Sequence, residues 1–209
     1  RRQRQMCIRD SYLANTGRKG PVVIDFPKDM GVLTSSAPLE EKVHLPSYQV
    51  TENPNKEDIQ QLSQYLNHAK QPVVLAGAGI NHSKSNALLT EFVTHHQIPV
   101  VTTLLGLGAI PYENPLFLGM GGMHGSYASN MALTECDLLI NLGSRFDDRL
   151  ASNPKEFAPN AKVVHIDIDE SEINKVIPTT LGIVADCKKV LEALVTEHQS
   201  HATSVSYTH

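Results

Sequence analysis

Apolar residues recur along this 209-residue chain in two rhythms. Ile59, Leu62, Leu66 and Ala69 fall three and four residues apart, the spacing of one helix face, and Asn55 stands ahead of them as a candidate N-cap. Beyond them, short unbroken apolar runs alternate with helical stretches. The runs predict strands over 72–76, 99–103, 138–142, 162–167 and 181–185. Helices are predicted over 83–96, 126–134 and 170–176, and from an Asp186 cap to about residue 198. Strands that are apolar throughout, rather than at every second position, belong to a sheet covered on both faces. The pattern therefore predicts an α/β fold, a doubly wound, mostly parallel six-stranded-type sheet with helices on both faces.

The first quarter of the chain lacks this alternation. Residues 21–27, Pro-Val-Val-Ile-Asp-Phe-Pro, read as a short buried strand. Residues 31–54 carry Pro38, Pro46 and Pro54 with no sustained period, and read as an extended linker. The main unit is expected over 55–199, and residues 200–209 as a polar, frayed tail. Residues 1–11 hold four arginines and one aspartate, with no apolar stretch of the kind a signal peptide needs. They are expected to lie outside the fold, although an Arg-rich transit peptide has a similar composition.

Charge and cysteine content narrow the class. Eighteen basic and 22 acidic residues give a net charge of −4, which argues against a general nucleic-acid binder. No apolar run approaches the roughly 20 residues that span a bilayer. Cys7, Cys136 and Cys187 are far apart and form no CxxC pair, so neither a disulfide scaffold nor a common zinc site is expected. These features predict a cytoplasmic protein with no nucleic-acid or membrane partner.

In such a sheet, ligands bind beyond the carboxyl ends of the strands. Gly77, Ala78 and Gly79 follow the first strand as half of a GxGxxG fingerprint. His82 occupies the place of the third glycine, and the next strand ends at Thr103 and Leu104 without an acid, so a standard NAD site is not supported. The two glycines fit either the approach of a ligand or a tight strand-to-helix turn. Six of the 13 glycines fall within residues 106–125, a clustering that favours close backbone approach over a merely flexible loop. Met123 and His124 lie there as possible pocket residues. After the third strand come Gly143, Ser144, Arg145, Phe146, Asp147, Asp148 and Arg149, whose arginine forks suit phosphate or a flat ring, or else form a surface ion-pair cluster. Asp167 and Asp169 can accept a ribose hydroxyl or cap the following helix, and Asp186 carries the same ambiguity. No nucleophile, acid–base pair or metal cluster stands out. The residues indicate a nucleotide-type cofactor and no specific reaction.

Five ordered segments add a family. GRKGPVVIDFPKDM (17–30), TTLLGLGAIP (102–111), GMGGMHG (119–125), GSRFDDR (143–149) and VVHIDID (163–169) together resemble the large catalytic subunit of acetolactate synthase over roughly residues 12–198. The resemblance implies a thiamine-diphosphate enzyme with Mg²⁺ whose central domain binds FAD as a structural group. On it, residues 12–30 are the end of a pyrimidine-binding domain and residues 55–199 the FAD-binding central domain. The implied FAD contacts are Arg18, Gly77, Ala78, Gly79, Thr103, Leu104, Gly121, Gly122, Met123, His124, Gly143, Ser144, Arg145, Phe146, Asp147, Asp167, Ile168 and Asp186. Lys28, Met123, Asp148 and Arg149 are implied to lie near the substrate channel. The RFDDR segment resembles the FAD-containing biosynthetic enzymes more than the FAD-free catabolic ones.

The implied reaction condenses two pyruvates to 2-acetolactate, or pyruvate with 2-oxobutyrate, releasing CO2. It opens branched-chain amino acid biosynthesis, including that of isoleucine and valine. A homo-oligomer with a regulatory small subunit is implied. Lys19 replaces the usual proline of a GRPGP segment, and Gly121 stands where a larger apolar residue is common. The family's catalytic glutamate and GDG-type metal motif do not occur in these 209 residues. No catalytic residue is therefore expected in this fragment, which is expected to be inactive alone. The alternatives are a stand-alone FAD or nucleotide-binding module and another FAD-containing thiamine-diphosphate carboligase.

Overall fold

The computed structural model describes residues 2–32, 34, 43 and 45–204. The chain divides into two compact units, residues 1–51 and 52–209.

In the first unit, α1 (Arg2–Asn15) is one continuous helix through most of the segment expected to lie outside the fold. Tyr48 closes its far end: the hydroxyl donates to the Thr16 carbonyl at 3.0 Å, and the ring meets Tyr12 edge-on. The expected strand over 21–27 is not formed. These residues have no ladder partner among the described residues, and Val23 is 93% exposed. An apolar run becomes a strand only where another strand satisfies its backbone. Much of the expected 31–54 linker, namely 33, 35–42 and 44, lies outside the described residues.

The second unit holds the predicted sheet. Its strands are β1 (Pro72–Ala76), β2 (Val100–Thr102), β3 (Phe117–Met120), β4 (Leu138–Leu142), β5 (Lys162–Asp167) and β6 (Leu181–Val184), in the order β3-β2-β1-β4-β5-β6. Every pair is parallel. Along β1, Val74 and Ala76 face one core, with Leu62, Phe92 and Leu194, while Val73 and Leu75 face another, with Leu133, Phe146 and Leu150. Two buried faces explain why the strands read as unbroken apolar runs.

The helices are α2 (Lys56–His68), α3 (Ala78–His82), α4 (Asn86–His96), α5 (Tyr127–Glu135) and α6 (Cys187–Ser204). In α2, Ile59, Leu62 and Leu66 are buried as their spacing predicts. Asn55 holds the N-cap position, but its amide donates to the Asp58 carboxylate at 3.3 Å instead of accepting a helix N–H. The helix expected over 83–96 begins only at Asn86, because Lys84 takes a left-handed φ of 55° and separates it from the short α3. The stretch over 170–176 shrinks to a 3-10 turn, Glu170–Glu172. Residues 200–204, expected in the tail, continue α6. Strand β3 has no counterpart among the predicted elements: it is four half-buried residues at the sheet edge, with Gly119 at φ 107°.

Ser126 caps α5, accepting the Ser129 N–H at 3.1 Å while its hydroxyl donates to the Leu118 carbonyl of β3. Ser126→Ala is expected to cost about 1 kcal/mol, read as a lower midpoint in urea with an unchanged slope.

Candidate functional site

In this strand order the connections diverge between β1 and β4, which opens a crevice at their carboxyl ends. Two turns meet there. Gly77 N–H donates to the Leu142 carbonyl at 2.9 Å, and Gly79 N–H to the Gly143 carbonyl at 3.1 Å. A Cβ on Gly77 would lie 2.2 Å from the Gly143 oxygen. The close approach that these glycines permit is thus the approach of β1 to β4. Cys187 fills the space beneath, its Sγ 3.2 Å and 3.1 Å from where Cβ atoms on Gly79 and Gly143 would stand. Burial pushes that thiol's pKa up, with Asp167 and Asp186 adding to the effect, so it stays protonated.

Beyond β2, Thr103 Oγ1 accepts the Gly106 N–H and shapes the 3-10 turn Leu104–Gly106. Asn81 of α3 donates to the Leu105 and Leu107 carbonyls, fixing the same loop from the other side. The loop leaves Leu104 67% and Leu105 75% exposed.

Beyond β3, Gly122 at φ 98° passes so close to the Arg149 carbonyl that a Cβ would stand 2.5 Å from it. Asn130 grips Gly122 at both its N–H and its carbonyl. Met123 N–H donates to the same Arg149 carbonyl at 2.8 Å, which joins the 121–124 and 147–149 turns. Met123, His124, Asp148 and Arg149 are therefore neighbours, and all four are exposed. The Arg149 and Asp148 side chains approach only to 4.0 Å in solvent, a pair that contributes little stability.

Beyond β4, Gly143 and Ser144 turn the chain and Arg145 is exposed. Phe146 is buried and adopts φ 52°, a left-handed conformation that costs a bulky residue about 1–2 kcal/mol. Its ring lies in the second core, so only its backbone faces the crevice. Asp147 accepts the Leu150 N–H at 3.1 Å.

At the end of β5, Asp167 accepts the Asp169 N–H, and Asp169 accepts the Ser171 N–H as the cap of the 3-10 turn. Ile168 is half-buried between them. Asp186 accepts the Lys188 N–H at 2.8 Å, and its own N–H donates to Glu52. Asp169 and Asp186 are thus turn and helix caps at the ligand edge. Arg18 and Lys28 belong to the first unit, where both are exposed, Arg18 after the left-handed Gly17 and Lys28 at the start of the turn Lys28–Val32.

The polar pair beneath this edge escaped the sequence reading. Asn141 and His165 are register partners on β4 and β5, and both are fully buried. Asn141 donates to the Ser144 carbonyl, whereas its own oxygen and both His165 nitrogens lack a well-formed partner. Burial lowers the His165 pKa to about 4, against the Ser144 carbonyl and Glu172, which raise it. The signal was present in the sequence as one polar residue in each of two otherwise apolar runs.

Residues 59–194 match the family described as "Thiamine pyrophosphate enzyme, central domain". The chain is 51% identical over 184 residues to the acetolactate synthase large subunit of Lactococcus lactis, covering 88% of this chain and 32% of that protein. It is 43% identical over 183 residues to the corresponding subunit of Haemophilus influenzae, covering 87% and 32%. To the acetolactate synthase isozyme 3 large subunit of Escherichia coli it is 41% identical over 186 residues, covering 88% and 32%. The chain spans about a third of the length of these relatives.

Proposed function

The chain belongs to the thiamine pyrophosphate enzyme family through its central domain, and from that premise we propose that it is the FAD-binding part of an acetolactate synthase large subunit. In this reading the parent enzyme condenses pyruvate with pyruvate or 2-oxobutyrate, with release of CO2. The observation that carries the reading is the convergence of GSRFDDR, GMGGMHG and TTLLGLG on one crevice of a domain about half identical to the Lactococcus lactis subunit.

The residues at that crevice suit a flavin dinucleotide. Arg145 is an exposed cation beside the switch point, suited to a diphosphate. Leu104, Leu105 and Met123, the last 57% exposed, offer apolar surface to a flat ring. Asp167 stands at a strand end, where it can accept from a sugar hydroxyl. Bound FAD supplies structural order in this reading, not electron transfer. Thr103, Gly106 and Asn81 hold the apolar loop in shape, and the grip of Asn130 on Gly122 holds Met123 beside Arg149. Met123, Asp148 and Arg149 would then border the path of the oxoacids.

Among the described residues no three acidic, histidine or cysteine side chains converge to hold a metal. No step of the condensation is placed on this chain. The homo-oligomer, the regulatory small subunit and the cytoplasmic location are further parts of the proposal that rest on the resemblance.

Two measurements test the reading. Full-length protein carrying this chain is expected to form acetolactate from pyruvate with thiamine diphosphate and Mg²⁺; a different carboligation product would favour another enzyme of the family. Arg145→Ala is expected to weaken FAD binding by roughly tenfold or more, the effect of losing a charge-assisted hydrogen bond. Unchanged flavin retention on gel filtration would remove Arg145 from the cofactor site.

A further inference from the structure

Arg145 is the only exposed residue between Leu142 and Asp147. That isolation has structural causes on both sides. The Ser144 carbonyl is drawn inward by the Asn141 amide. The Phe146 ring is drawn inward between two aromatic edges, His165 at 5.0 Å and 73° and Phe157 at 5.7 Å and 71°. The Asp147 carbonyl accepts the Leu150 and Ala151 N–H groups and closes the turn. With both neighbours pinned to the core, Arg145 has one direction left.

Asn141 and His165 lie side by side on β4 and β5, directly beneath this turn. His165 carries no exposed surface, and among the crevice residues its Nε2 approaches the Asp167 carboxylate only to 4.0 Å, while its ring packs directly on Phe146 of the turn. We propose that His165 is a positioning residue, which with Asn141 forms the floor that holds Phe146 in its left-handed conformation and so presents Arg145 to the crevice. The proposal rests on the cofactor reading only for what Arg145 then binds; the shape of the turn does not depend on that reading.

The shape of the turn can be read without any ligand. Trypsin cleaves after an exposed arginine only where the backbone can open into an extended form. In the 209-residue chain, the Arg145–Phe146 bond is expected to be resistant, followed by mass spectrometry over time. His165→Leu, which keeps volume but removes the aromatic edge, is expected to speed cleavage there about tenfold. Cleavage after Lys189 in α6 should stay unchanged. His165→Phe, which restores the edge, is expected to restore resistance. Equal rates at Arg145 in all three proteins overturn the proposal, as does a parallel rise at Lys189, which would signify general loosening. Should His165→Leu not fold, Phe157→Leu removes the opposite flank of Phe146 and is expected to raise cleavage at the same bond; no rise there also overturns it.

FAD added to the same proteins separates the two readings. His165→Leu is expected to weaken FAD binding about tenfold and to add nothing when combined with Arg145→Ala. Additive losses would overturn the positioning role. If FAD does not bind the wild-type chain while the cleavage pattern appears as expected, the cofactor reading fails and the positioning role stands.

Discussion

Gly77→Ala is expected to destabilise the second unit by about 3 kcal/mol or more, above the usual range for overpacking. The added methyl would stand 2.2 Å from the Gly143 oxygen, 2.6 Å from the Gly143 carbonyl carbon and 2.6 Å from Ser144 Cβ. Two of those three atoms are backbone and cannot rotate away. Retreat of Gly143 is also resisted, because its N–H donates to the Ile166 carbonyl at 2.8 Å and its own φ is 65°. Separating the strands would break the central pair, β1 with β4, at Ala76 and Leu142. The contrast is Gly108→Ala, where no atom lies within 4 Å and only the φ of 83° opposes the change. Urea unfolding followed by circular dichroism reads both. A Gly77→Ala midpoint close to that of Gly108→Ala would show that the two turns are not in contact.

Acid is expected to remove about 3 kcal/mol of stability between pH 6.5 and pH 4, through His165 alone. The sign follows from where the proton binds. The imidazole has a pKa of about 4 in the folded chain and near 6.5 when unfolded. Between those values the unfolded state binds the proton and the folded state does not, so stability falls as pH falls. Above pH 6.5 neither state is protonated and the effect vanishes. The main cause is burial, which neither the Ser144 carbonyl nor Glu172 offsets, and the Asp167 carboxylate stays 4.0 Å away. Asp137 acts in a lower window. Burial opposes its ionisation, but the Lys70 and Gln71 N–H groups outweigh this and hold its pKa below the usual carboxylate value, so its contribution fades only in stronger acid. Unfolding free energies measured from pH 7 to pH 4 check the claim. His165→Phe should flatten the profile, and an equally steep profile in that variant would assign the acid sensitivity elsewhere.

The sheet was legible because its strands are buried on both faces, which leaves unbroken apolar runs that few other elements produce. β1, β4 and β5 begin and end where the runs do. β3 was not legible for the opposite reason: Phe117, Leu118 and Met120 are half-buried at an edge, and Gly119 interrupts them. The run over 21–27 has the composition of a strand, yet composition does not supply a ladder partner. At the candidate site, the residues after each strand were found by the rule that ligands gather there. What those residues do was less legible. The choice between a ligand approach and a tight turn at Gly77 depends on what stands 2.2 Å away, and that atom lies 66 positions along the chain. Asp169 and Asp186 proved to be caps because their carboxylates face the next N–H groups in sequence, a geometry that sequence allows but does not require. His165, although part of the VVHIDID segment, shows no role in the sequence because a polar residue in an apolar run is informative only once its neighbours across the strands are known.

The strand order carries a consequence for how the chain acquires its shape. Parallel neighbours cannot be closed by a hairpin, and Pro72 waits 66 residues for its partner Leu138 on β4. During synthesis at about 5–20 residues per second, one side of the central strand stays open for several seconds after it emerges. An apolar strand with a free edge is what chaperones capture and what aggregates recruit. The demand on the cell's folding machinery is therefore set at β1, before Arg145 and Asp167, which stand beyond β4 and β5, have been made.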